Sequence, residues 1–168
     1  NRINVLDIYS TVNYPAGTNA AFDGFAINSK DTNKLNKNNS QNFKILKTLS
    51  AGDDPKLNKV KKYETVEVMT GALIPKGFDT IIPIEKIIFH LNNKYISIND
   101  KIKKNQHIRY VGSDYKKKDL IVKKGTIIQP SHVLAFKTLG ITTIKVKKVP
   151  NILFFSTGNE ISNNKNIV

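Results

Sequence analysis

The stretch Phe22-Asp23-Gly24-Phe25-Ala26-Ile27 constrains this chain most, because it sets one acidic side chain and one glycine within an otherwise apolar strand. A carboxylate taken out of water is costly unless it is paired, hydrogen-bonded or bound to a metal. That makes Asp23 a stronger functional candidate than a surface aspartate. Asp-Gly is also an ordinary turn dipeptide, and spacing alone favours that plainer reading.

The rest of the chain must therefore supply context. A length of 168 residues suffices for one substantial core and allows one or two domains. Hydrophobic residues at 39% and charged residues at 24% suit a globular protein, and no apolar run is long enough to span a bilayer. Cysteine is absent, which removes disulfides, thiolate zinc sites and cysteine nucleophiles, and fits a cytoplasmic location. The opening Asn1-Arg2-Ile3 reads as the middle of a domain and carries no leader signature.

The formal charge of +14, from 27 Lys and Arg against 13 acids, raises nucleic acid as a partner. The lysines at 59–62, 101–104, 116–118 and 145–148 have no interleaved aromatic residues for base stacking, and asparagine is abundant alongside them. That pattern reads as solvated faces, so nucleic acid is not the expected partner. A basic surface still attracts small anions, such as phosphorylated ligands or oxyanions, in a salt-dependent way.

Residues 28–41, rich in Asn, Lys, Ser and Asp, read as an exposed loop between two lobes. Strand-like runs follow at 43–49, 63–69, 80–89 and 94–98, with a hairpin turn at Asn92-Asn93. A second hairpin is expected from 120–122 and 126–128 around Lys123-Lys124-Gly125. A helix over 131–139 follows, with Ser131 as N-cap and Gly140 as its stop, and then a strand at 142–146. The apolar run Ile152-Leu153-Phe154-Phe155 reads as a buried parallel strand leading to a loop and helix start. The expected division is a first lobe from 1–28 and 118–149, an inserted β-rich lobe at 29–117, and the start of a further domain at 150–168.

Three histidines, His90, His107 and His132, show no metal-ligand spacing, and no Gly-x-Ser-x-Gly elbow supports a serine nucleophile. The carboxylates Asp23, Asp114 and Glu160 are the better set, since each lies in a glycine-containing turn beside apolar segments. They can hold a divalent cation through oxygen or accept hydrogen bonds from a ligand. Thr70 could offer its hydroxyl to an oxyanion. Ser156, Thr157 and Gly158 follow the apolar run, where backbone N–H groups at a helix start favour an anion; a simple helix cap is the plainer alternative.

The ordered set Phe22 to Ile27, Met69-Thr70-Gly71-Ala72, Arg109 through Gly112-Ser113-Asp114 and Ser156-Thr157-Gly158-Asn159-Glu160 resembles the molybdopterin molybdenumtransferase family, which includes bacterial MoeA and the E domain of gephyrin. The resemblance implies a mixed, β-rich, elongated two-lobe fold with short helices, like the N-terminal region of MoeA. To this it adds the first strand of a truncated α/β pterin-binding domain. It implies active-site roles for Asp23, Thr70, Asp114 and Glu160, anion binding by Arg109, Ser156, Thr157 and Gly158, and Mg2+ held by Asp23 and Asp114. Phe25 stands where the family has Tyr, Ser113 where it has Glu, and Asn159 where it has Asp. The implied reaction inserts molybdate into adenylylated molybdopterin and releases AMP, in a cleft completed by the partner subunit of a homodimer. On that reading the 168-residue chain alone is inactive. The alternative is a noncatalytic dimerisation or scaffolding module of the same fold.

Overall fold

The computed structural model describes residues 2–36, 38–90, 94–155 and 157. Its strands are β1 (Ile8–Tyr9), β2 (Asn19–Ala20), β3 (Gly24–Ile27), β4 (Gln41–Leu49) and β5 (Glu64–Val68). Then come β6 (Thr80–Pro83), β7 (Ile88–His90), β8 (Tyr95–Ile98), β9 (Ile108–Arg109), β10 (Leu120–Val122) and the helix α1 (Pro130–Thr138). The architecture is β-rich with a single α-helix among the described residues.

Six strands form the main sheet in the order β6-β3-β5-β4-β8-β7. Neighbours are antiparallel except the parallel pair β4–β5. Period-2 alternation sends successive side chains to opposite faces, and here both faces are covered. Ala26, Val66, Val68 and Ile81 pack with Ala20, Leu49, Ala72 and Phe78 in one cluster. Phe25, Ile27, Phe43, Ile82, Ile96 and Ile98 form the other. All four residues of β3 are buried as a result.

Gly24 explains why the Asp-Gly pair is not a turn. It is a strand residue, and a Cβ there would lie 2.0 Å from the Ile82 carbonyl oxygen. Only glycine lets β3 approach β6 this closely, and that approach carries Asp23 to the very start of the strand.

Other short pairings join distant parts of the chain. β1 pairs with β10, and β2 with β9, both antiparallel. Ile3 and Asn4 bridge to Ile127 and Val146. Gly24–Ile27, assigned by sequence to the first lobe, is an inner strand of the main sheet, between β5 and β6.

Several expectations are corrected. The run 80–89 is two strands on opposite edges of the sheet, because Pro83 lacks an N–H and a 3-10 turn at Ile84–Lys86 breaks it. The arms 120–122 and 126–128 do not pair with each other; β10 pairs with β1, and Ile127 bridges to Ile3. Residues 142–146 form no strand beyond the single bridge at Val146. The helix begins one residue early at Pro130, whose fixed φ suits the first helical position, so Ser131 lies inside it. Gln129 flanks the helix instead, its N–H donating to His132 Nδ1 at 3.1 Å. Gly140 does end the helix, donating to the Lys137 carbonyl.

The 28–41 segment is not uniformly exposed: Ser29 and Thr32 are buried in a 3-10 turn, and Ser29 donates to Asp79 through both its N–H and its hydroxyl. β7 and β8 pair as expected, while the turn residues Asn92-Asn93 lie outside the described residues. Ile152 to Phe155, expected as a buried strand, are 67–88% exposed with no strand partner, since nothing in the described chain flanks them. No helix among the described residues is long and apolar enough to cross a membrane.

Candidate functional site

The site grows from β2. One side of Asn19–Ala20 pairs with Ile108–Arg109 in β9. The other side takes the turn after β5: Gly71 N–H donates to the Ala20 carbonyl, Ala20 N–H donates to that of Ala72, and Asn19 bridges to Leu73. Segments 71–73 and 108–109 thus flank one short strand, and two strand spacings put their backbones about 10 Å apart. Gly71, at φ +85°, takes the left-handed turn that brings the chain from Thr70 back along β2.

Two side-chain pairs stand on this ribbon. Asp23 Oδ1 accepts both the backbone N–H and the hydroxyl of Thr70, each at 2.6 Å. The hydroxyl, and then the N–H, hold the Asp23 carboxyl below its ordinary value, with burial opposing weakly. Asp23 and Thr70 are exposed, not desolvated. Asp23 is therefore an anion at neutral pH, and its Oδ2 has no partner among the described residues. Thr70 spends its proton on Asp23, so in this arrangement it is not the free oxyanion donor that the sequence suggested.

The second pair is Arg109 with Asp114, Nη2 to Oδ2 at 2.5 Å, both half-exposed. Ser113 donates its hydroxyl to Asp114 Oδ1 at 3.0 Å, so both carboxylate oxygens of Asp114 are engaged. The turn holding Asp114 is fastened to the opening segment: Asp114 and Tyr115 donate N–H groups to the Tyr14 carbonyl, and Tyr14 donates to that of Tyr115. Asp114 also borders a groove of about 250 Å³ against Leu134 and Ala135 of α1.

Asn19 sits between the two pairs, and its buried Oδ1 has no hydrogen-bond donor among the described residues. Phe22, 52% exposed, meets His107 edge to face with ring centroids 5.0 Å apart. Sequence reasoning passed over these three residues as site components. The signals were Phe22 beside the motif aspartate and His107 two positions before Arg109. By contrast Phe25 is fully buried and packs against Phe89 at 5.6 Å, so a tyrosine hydroxyl there would need a partner inside the core.

Ser156, Gly158 and Glu160 lie outside the described residues, and Thr157 is exposed. Among the described residues no group of three or more His, Asp or Glu could hold a metal ion. The free oxygen of Asp23 fits Mg2+ as one ligand, since Mg2+ commonly takes one or two carboxylates and completes its shell with water and phosphate. Asp114 fits poorly, because a guanidinium and a hydroxyl already occupy it.

The family described as MoeA N-terminal region (domain I and II) matches residues 1–140. A molybdopterin molybdenumtransferase of Staphylococcus aureus (strain Mu50) is 34% identical over 162 residues, covering 96% of this chain and 38% of the relative. One from Haemophilus influenzae is 31% identical over 161 residues, with the same coverage. A crystal structure of the molybdopterin biosynthesis moeA protein from Pyrococcus horikoshii OT3 superposes with a TM-score of 0.81 at 30% identity, over 87% of this chain and 38% of that one. The chain thus spans well under half the length of these relatives.

Proposed function

The chain belongs to the MoeA family through its N-terminal region, and from this premise we propose that it forms one wall of a molybdopterin molybdenumtransferase site. The full-length protein would insert molybdate into adenylylated molybdopterin and release AMP. The observation that carries this reading is the juxtaposition of an ionised acceptor, Asp23, and a cation, Arg109, on the two sides of β2.

In this reading Arg109 attracts the anionic partners of the reaction. Asp114 fixes its guanidinium through one nitrogen and leaves further N–H donors for phosphate or molybdate oxygens. Asp23, kept ionised by Thr70, serves as acceptor or oxygen ligand and not as a proton donor. Mg2+, held in part by Asp23 Oδ2, would offset phosphate charge during cleavage of the adenylate. Ser156, Thr157, Gly158 and Glu160 would join from the segment beyond, and the opposite wall from the partner subunit of a homodimer. The 168-residue chain by itself would then show no turnover. A cytoplasmic location follows from the same role.

The scaffold alternative has no observation that favours it: Phe25 is explained by packing, and the Asp23–Thr70 pair is intact. The test is molybdate-dependent AMP release by the full-length protein. Arg109→Ala should lower kcat/KM by about 10- to 100-fold, mainly through KM, since a charge-assisted contact to an anion is lost. Unchanged kcat/KM would refute the role of Arg109.

A further inference from the structure

We infer that Phe22, pinned by His107, is a stacking platform for the planar heteroaromatic ring of the ligand. This rests on the proposed transferase site. A lone exposed phenylalanine is ordinary. This one differs in how firmly it is held and in what stands beside it.

The His107 ring meets it at 88°, which immobilises the phenyl group and leaves about half of its surface open. The backbones are locked as well, since Ala21 N–H donates to the His107 carbonyl at 3.0 Å. His107 itself sits at φ +56° and Asn105 at φ +68°, left-handed conformations that Asn and His adopt more readily than most side chains. Thr80 ties this loop to β6. Its hydroxyl donates to the Lys103 carbonyl at 3.0 Å and accepts the Gln106 N–H at 3.2 Å. Ile81 N–H donates to the Gln106 carbonyl, and Asn105 N–H to that of Asp79. A buried strand thus tethers the loop that holds a half-exposed ring in place.

A half-exposed ring whose chain neighbour is the anion Asp23, and whose partner His107 is two residues from the cation Arg109, suits a planar nitrogen heterocycle that carries a phosphate. Both rings of an adenylylated pterin have that chemistry, and the experiment separates them.

Equilibrium binding of AMP, of 6-hydroxymethylpterin and of inorganic phosphate would be measured on the full-length protein as wild type, Phe22→Ala and Phe22→Tyr. Phe22→Ala is expected to weaken one of the two ring ligands by about 5- to 150-fold, the usual effect of losing one aromatic stacking partner, with phosphate unchanged. Phe22→Tyr keeps the ring and should stay within about 2-fold of wild type. The ligand that weakens identifies the ring that stacks. Wild-type affinity of Phe22→Ala for both rings would overturn the inference and leave the transferase reading intact. Equal loss of phosphate binding would also overturn it, by assigning Phe22 to the fold. The transferase reading fails separately, if molybdate-dependent AMP release is absent from the wild type while ring binding persists.

Discussion

At the scale of single residues, the ionisation of Asp23 depends on Thr70. Its folded-state carboxyl lies below the ordinary value of 3.8, so ionised Asp23 contributes stability above that pH, and the contribution fades as pH falls through the depressed value. Thr70→Ala removes the larger cause and leaves the N–H. The Asp23 carboxyl should therefore move up, as read from side-chain carboxyl chemical shifts in an NMR titration; an unmoved value would contradict the pairing. Gly24 makes a second prediction. Gly24→Ala drives a methyl group into the Ile82 carbonyl and should destabilise the fold by about 2–3 kcal/mol or abolish it, as measured by denaturant unfolding. Asp23, Thr70, Arg109 and Asp114 stand out in the sequence as candidates, and the structure joins them as two side-chain pairs. The bond between Asp23 and Thr70 was not legible there, because it joins positions 47 apart whose meeting depends on how β3 and β5 pair.

Among elements, β4, β5 and β8 follow the β-branched and aromatic runs that predict them, within two residues of the expected bounds. What failed was partner choice. The arms around Lys123-Lys124-Gly125 look like a hairpin, yet each finds an apolar partner in the opening segment, a long-range pairing that local spacing does not encode. The 80–89 run has apolar Ile and Phe residues on both sides of Pro83, which masked the break there. At α1 the flanking bond runs from Gln129 N–H to His132 Nδ1. His132→Ala should cost about 1 kcal/mol of stability, checked by urea unfolding, as loss of a helix-end side-chain acceptor typically does. An unchanged midpoint would show that the bond contributes nothing.

For the whole molecule, charge and completeness matter most. A chain with formal charge +14 draws anions over a range set by ionic strength, about 10 Å at 0.1 M salt. Phosphate binding by the full-length protein should therefore weaken as salt rises from 50 to 500 mM, roughly 10-fold or less for a few screened contacts; salt-independent binding would argue against an electrostatic site. The family and the kind of fold were legible from the ordered motifs. The two-sided burial of the main sheet and the platform at Phe22 were not, because both arise from contacts between segments far apart in sequence. The most direct measurement is single-turnover, molybdate-dependent AMP release by the full-length protein, wild type against Asp23→Asn. If the wall built on β2 is catalytic, Asp23→Asn should slow release by about 100-fold or more while the protein stays folded. Release by Asp23→Asn at the wild-type rate would contradict it.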